Sequence, residues 1–200
     1  MPDQSPTHPS PGGSVNHLVL NVRDLEASHR FYTEVMGFEQ CGELTHTMTM
    51  RFYRGDSTRH HDFALVQVLD PGRFEPAPKW SMAPVDLGIN HIAIGYPDRE
   101  TWLNQLRHLK ASGVEFIVRG NHGMTRSAYI ADPDGYGLEV LYNVPSEMWE
   151  GDVDAALNYF EDLPPDEALD DDRDYQRFGP DSPPPVEVPG RVRTRQPAGD

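Results

Sequence analysis

The order of apolar and polar residues repeats once along the chain. Val15-Asn16-His17-Leu18-Val19-Leu20-Asn21-Val22-Arg23-Asp24 returns as Ile89-Asn90-His91-Ile92-Ala93-Ile94-Gly95-Tyr96-Pro97-Asp98. Each copy opens on Asn-His, continues with apolar residues rich in β-formers, and places an Asp seven positions after the His. Such runs predict buried strands, and the Asp is placed to cap a helix. Beyond each Asp the apolar spacing widens from two to about 3.6. Leu25, Phe31, Tyr32 and Val35 can share one helical face before Gly37, and Trp102, Leu103, Leu106 and Leu109 another before Gly113. A glycine at those places suits a helix C-terminus.

Strand-like segments follow in both halves: Phe38 to Leu44, Thr47 to Tyr53 and Phe63 to Leu69, then Val114 to Val118, Ser127 to Ala131 and Leu138 to Tyr142. The pattern is βαβββ twice, over residues 15–70 and 87–145. Neither half is large enough to bury its own sheet face, so two packed modules predict one α+β domain. Residues 71–86 read as a proline-rich link. Met148, Trp149, Val153, Ala156, Leu157 and Phe160 have helical spacing and predict a C-terminal helix over 146–163. Residues 1–14 and the acidic, proline-rich stretch 164–200 lack apolar periodicity and are expected to be disordered.

Composition separates body from ends. The formal charge is −15, and 15 acids against 5 bases fall after Ser146. The surplus is therefore chiefly a feature of the C-terminal segment. No basic face is available for nucleic acid. No apolar run approaches the ~20 residues that span a bilayer, and the first fourteen residues lack the basic and apolar regions of a secretory signal. A cytoplasmic protein without membrane or nucleic-acid partners is expected. The single cysteine, Cys41, cannot form an intrachain disulfide.

Candidate chemistry rests on the histidines. His8 lies in the tail, His29 and His108 in predicted helices, and His46 has no evident partner. His17 and His91 stand out because they occupy the same place in the repeated first strand, where a pseudo-twofold arrangement would let two imidazoles meet. Glu139 interrupts the apolar run Tyr136-Gly137-Leu138-Glu139-Val140-Leu141-Tyr142, and a carboxylate there must be exposed, paired or metal-bound. Two His and one carboxylate with open positions suit non-haem Fe(II), and Mn or Zn can also occupy the set. His60-His61 stands at the mouth of the last strand of the first half, and His122 in the loop before the strand bearing Tyr129. The turn Asp132-Pro133-Asp134-Gly135 should fold Tyr129 back beside Glu139.

Gly120-Asn121-His122, then Ala128-Tyr129-Ile130-Ala131-Asp132-Pro133-Asp134-Gly135, then Glu139 resembles the catalytic hairpin of the type I extradiol ring-cleaving dioxygenases of the vicinal oxygen chelate superfamily. Ala128 departs from that pattern, standing where a larger aliphatic residue or Phe is usual. The resemblance spans nearly all of Val15 to Val144 and is closest to the single-domain enzymes. It implies His17, His91 and Glu139 as Fe(II) ligands, with Mn(II) as second choice. It further implies His61 as the acid–base residue, with His60 the weaker candidate, and His122 and Tyr129 as hydrogen-bonding partners of the substrate oxygens. The substrates would be a catechol-type aromatic diol and O2, and a homo-oligomer is implied by analogy.

Three other readings share the fold. Glyoxalase-type isomerases usually take a further carboxylate ligand from the last strand of the first half, where Phe63 to Leu69 has no acid and Gln67 is the nearest substitute. Fosfomycin-type transferases can use two His and one Glu, but they leave the His122/Tyr129 hairpin without a role. A non-catalytic module that binds an aromatic ligand would need no metal triad.

Overall fold

The computed structural model describes residues 14–55, 58–73, 80–83, 87–163, 174–180 and 182. Most of the link expected over 71–86, almost all of the tail expected over 1–14, and most of 164–200 lie outside the described residues. The chain divides into two compact units, residues 1–75 and 76–200. Each is an α+β module with its own sheet, as the duplicated pattern predicts. Among the described residues no helix is long and apolar enough to cross a membrane.

The first unit runs β1 (Leu18–Val22), α1 (Leu25–Arg30), a π-helical turn (Phe31–Val35), β2 (Glu39–Leu44), β3 (Met50–Arg54) and β4 (Phe63–Gln67). Its sheet order is β1-β4-β3-β2, with β1 and β4 parallel. Asp24 caps α1 as expected, its Oδ1 accepting from Glu26 N and Ala27 N at 3.0 Å. The spacing predicts one regular helix to Gly37, but its last turn widens, with Met36 N donating to Phe31 O at 2.9 Å. Thr33 Oγ1 donates to His29 O at 2.7 Å in that turn, a side-chain competitor for the helical ladder. Leu20, Val22, Leu25, Tyr32, Tyr53, Phe63 and Leu65 form the core, with the Tyr53 and Phe63 rings stacked at 5.0 Å.

The second unit runs β5 (Ile92–Tyr96), α2 (Arg99–Ala111), β6 (Val118–Asn121), β7 (Thr125–Ala131), β8 (Gly137–Asn143), α3 (Val153–Leu157) and β9 (Glu161–Leu163). The sheet order is β5-β8-β7-β6-β9, and β5 and β8 are parallel. Asp98 Oδ1 accepts from Thr101 N at 2.7 Å and caps α2. That helix buries Trp102, Leu106 and Leu109, and Trp102 Nε1 donates to Val140 O at 2.9 Å.

Two elements differ from the sequence pattern. The strand expected over Val114 to Val118 begins only at Val118, because pairing with β7 starts where Val118 faces Tyr129. The helix expected over 146–163 is also broken. Ser146–Met148 is a 3-10 turn, Asp152 caps a new five-residue helix through Ala155 N at 2.9 Å, and Glu161–Leu163 is a strand. The break falls at Gly151, on which Phe178 O closes to 2.7 Å of where a Cβ would stand, and Asp152 beside it caps the helix that starts anew. β9 then gains backbone partners on the open edge of β6.

Candidate active site

In the second unit the antiparallel register sets Tyr129 opposite Glu139 across the hairpin turned by Asp132 to Gly135. Asp132 Oδ1 fixes that turn by accepting from Asp134 N at 2.9 Å and Tyr136 N at 2.8 Å. Glu139 is 7% exposed, so its carboxylate depends on partners for stability. Tyr129 Oη donates to Oε1 at 2.9 Å, and Ser127 Oγ donates to the same oxygen at 2.7 Å. The other oxygen, Oε2, lies 3.2 Å from His91 Nε2. His122 Nε2 stands 2.9 Å from Tyr129 Oη. Since the tyrosine proton is directed to Glu139, His122 is the donor in that contact and carries its proton on Nε2. Burial, then the charge of Glu139, pushes the Tyr129 hydroxyl above the usual tyrosine range, so it stays protonated and a donor at neutral pH.

The residue before each repeated histidine has a role. Asn90 Oδ1 lies 2.7 Å from His91 Nδ1, and Asn16 Oδ1 lies 2.9 Å from His17 Nδ1. An amide oxygen only accepts, so each contact places a ring proton on Nδ1, and in the neutral imidazole this leaves Nε2 with a lone pair. At His91 that lone pair confronts a carboxylate oxygen at 3.2 Å. Two acceptors facing each other require a shared proton or a cation. Two ligands at right angles around an ion with bonds of ~2.1 Å stand about 3 Å apart, close to this separation. The donor set at His91 and Glu139 therefore fits a divalent metal.

His17 is in the first unit, exposed, and belongs to a group of imidazoles. Its ring centroid is 4.6 Å from that of His61 and 6.0 Å from that of His60, and His60 and His61 lie 4.3 Å apart. Partial burial, then the neighbouring His60 and His17, holds His61 below the ordinary histidine range, while Asp62 pulls the other way. His61 is thereby biased toward the neutral form that can accept a proton. Within neither unit do the described residues bring three His, Cys, Asp or Glu side chains together at metal-holding spacing. The structure thus joins Glu139, Tyr129, His122 and His91 in one network, and His17 with His61 in another.

Four further side chains contribute. Asn16 and Asn90 were visible as half of the repeated Asn-His pair, but their action on the ring proton was not. Ser127 lies two residues before Tyr129 on the same strand face, a period-two signal that could have flagged it. Trp80 comes from the proline-rich link: its ring stacks on Tyr129 at 5.4 Å and 6°, and meets His91 edge-on at 6.2 Å. Gly137 makes room for it, since a Cβ there would stand 2.1 Å from Trp80 Nε1.

Gln67, the nearest substitute for a further acidic ligand, is otherwise engaged. Its Oε1 accepts from Leu25 N at 2.8 Å and its Nε2 donates to Arg23 O, tying β4 to the start of α1.

Residues 14–140 match the model of the Glyoxalase/Bleomycin resistance protein/Dioxygenase superfamily. A probable lactoylglutathione lyase of Vibrio parahaemolyticus is 28% identical over 66% of this chain and 91% of its own length. The catechol-2,3-dioxygenase of Bacillus subtilis is 30% identical over 69% of this chain, and biphenyl-2,3-diol 1,2-dioxygenase 3 of Rhodococcus globerulus 31% over 62%. The chain spans only 44% and 60% of those two dioxygenases. In fold it is similar to a glyoxylase/bleomycin resistance protein/dioxygenase domain from Frankia, with TM-score 0.53 and 18% identity over 68% of this chain and 95% of that one. With the duplicated βαβββ units and a match covering most of both, the chain belongs to the Glyoxalase/Bleomycin resistance protein/Dioxygenase superfamily, the vicinal oxygen chelate fold.

Proposed function

We propose that the protein is an Fe(II)-dependent extradiol dioxygenase that opens the ring of a catechol-type diol with O2. The observation that carries this reading is the hydrogen-bonded line from His122 through Tyr129 to Glu139, which ends on the lone pair of His91. His91 and Glu139, with His17 as third ligand, would hold the metal, with Mn(II) as second choice. Bound there, Fe(II) would gather the diol oxygens and lower the pKa of a hydroxyl. Tyr129, kept protonated, and His122, protonated on Nε2, supply donors for a phenolate oxygen. Near-neutral His61 supplies a base for the diol proton and, once charged, an acid for the opening ring. A homo-oligomer is part of the proposal.

The second reading, a glyoxalase-like isomerase, is favoured by the names of several relatives, probable lactoylglutathione lyases among them. Against it stands β4, which has no carboxylate and whose Gln67 is committed to α1. The test loads the protein with Fe(II) without air, adds catechols in air, and follows ring-cleavage absorbance beside a parallel assay for lactoylglutathione. Ring-cleavage absorbance that disappears in Glu139→Ala is expected. Lactoylglutathione production without ring cleavage would replace this proposal with the second reading.

A further inference from the structure

The family match ends at residue 140, yet the chain beyond it returns to the loop that carries His122. β9 pairs with β6, setting Gly120 opposite Asp162 and Asn121 opposite Glu161, and Asn121 Nδ2 donates to Glu161 Oε2 at 3.2 Å. Phe160, just before β9, lies on Gly120, where a Cβ would begin 2.4 Å from its ring. The Phe160 ring centroid is 5.0 Å from that of His122. A second wedge comes from farther along. Phe178 is 2% exposed and presses on Gly123, where a Cβ would stand 2.8 Å from the ring and 3.1 Å from Ala156 O. Gly123 has φ +76°, so a side chain there would be strained even without the ring.

Phe178 is itself anchored. Its N–H donates to Met148 O at 2.7 Å, and its ring meets Tyr159 at 5.3 Å. Tyr175 has the guanidinium groups of Arg99 and Arg126 at 5.9 and 5.8 Å from its ring centroid, and Arg177 Nη1 donates to Glu147 O at 3.0 Å. The disorder expected from Pro164 onward therefore does not hold for residues 174–180, where one buried phenylalanine does what apolar periodicity cannot signal. Inside the loop, Asn121 Oδ1 accepts from Gly123 N at 3.0 Å, and His122 N donates to Thr125 O at 2.9 Å.

We infer that Phe160 and Phe178 form a positioning element for His122: the two phenylalanines clamp Gly120 and Gly123 so that the imidazole keeps Nε2–H on Tyr129 Oη. Phe160 and Phe178 are positioning residues, acting through the loop. From the proposed function the inference takes only that His122 belongs to the site.

The experiment uses the full chain, with Phe178→Ala, Phe160→Ala and the conservative Phe178→Leu. Imidazole 15N shifts report the His122 tautomer, and amide exchange reports the loop against Ala128 and Ile130 in β7. In Phe178→Ala the His122 amide should exchange about tenfold faster or more and the ring should leave the pure Nε2–H form, with β7 still protected. Phe178→Leu should recover most of both. On catechol, kcat should fall by about tenfold to a hundredfold with KM within about twofold. A folded Phe178→Ala with His122 shifts and exchange like those of the wild type would overturn the inference. Should Phe178→Ala not fold, Phe160→Ala decides: faster His122 exchange and a mixed tautomer with β7 still protected support the clamp, and wild-type behaviour refutes it. A wild-type protein that cleaves no catechol would remove the proposed function and leave the tautomer result standing.

Discussion

Replacing Asn90 with alanine removes the acceptor that keeps the His91 proton on Nδ1. The contact is 2.7 Å, between neutral groups, beside an exposed Asn. A hydrogen bond of that kind is worth about 1 kcal/mol, roughly a factor of five. Losing it lets the proton move to Nε2, where it blocks the lone pair. Partners of metal-ligating histidines typically contribute about 10–100-fold in affinity, and the exposure of Asn90 places the expectation near the lower end, about tenfold weaker Mn(II) or Fe(II) binding. With His17 as the third ligand of the proposed function, Asn16→Ala should weaken binding by a similar factor, the two acting on separate rings. Competition against a chelator under anaerobic conditions measures the affinity, and imidazole 15N shifts measure the tautomer. The second readout is needed because Asn90 Nδ2 also donates to Met82 O at 3.2 Å. Asn90→Asp, which keeps the acceptor and strengthens it, should retain affinity. The reasoning fails if Asn90→Ala binds metal within about twofold of the wild type while His91→Ala does not bind.

Tyr129→Phe strips one of the two hydroxyl donors from Glu139 Oε1 and leaves His122 Nε2–H without its acceptor, which should cost about 2 kcal/mol in urea unfolding; an unchanged midpoint would contradict the network. Gly137→Ala puts a methyl group where Trp80 sits, so the indole should leave Tyr129 and its fluorescence shift to the red, and an unshifted spectrum would show that the stack survives. Gln67→Leu removes both bonds that tie β4 to α1 and should lower stability by about 1–2 kcal/mol, read by thermal unfolding, with a wild-type melting temperature as the contrary result. Burial pushes Tyr53 up to about 12. A raised tyrosine favours the protonated folded state, so its contribution is full below about pH 10 and is lost as pH rises toward 12. Tyr53→Phe should flatten that alkaline loss in urea midpoints, and parallel wild-type and variant curves would refute the assignment.

The parts of the fold read correctly from sequence are those in which local chemistry and tertiary packing agree. Asp24 and Asp98 cap their helices, Gly37 and Gly113 follow them with positive φ, and the Asp132–Gly135 turn sets Tyr129 against Glu139. The misses lie where distant contacts decide. Residues 146–163 have helical spacing, but the Asp152 cap after Gly151 and the pairing of β9 with β6 divide them into a turn, a short helix and a strand. Trp80 could not be placed from a proline-rich link, because its position depends on the absence of a side chain at Gly137. In the site, the approach of Tyr129 to Glu139 is legible in the hairpin, whereas the contacts of Asn90 and Ser127 appear only once the ring proton and the carboxylate oxygens are each assigned a partner.

The parallel pairing of β5 with β8 also sets an order of assembly. Tyr129 and Glu139 sit on consecutive strands joined by a tight turn, so their bond can form early and locally. His91 reaches Glu139 only when the strand that follows it docks beside the last strand of the module, with Ile92 against Leu138, across the whole of α2 and the hairpin. Such closure is entropically expensive and slow. During synthesis the histidine is made first and waits for the carboxylate, so a nascent chain or proteolytic fragment ending before β8 has the imidazole and no site. On the proposed ligand set, metal capture would thereby be tied to completion of the module.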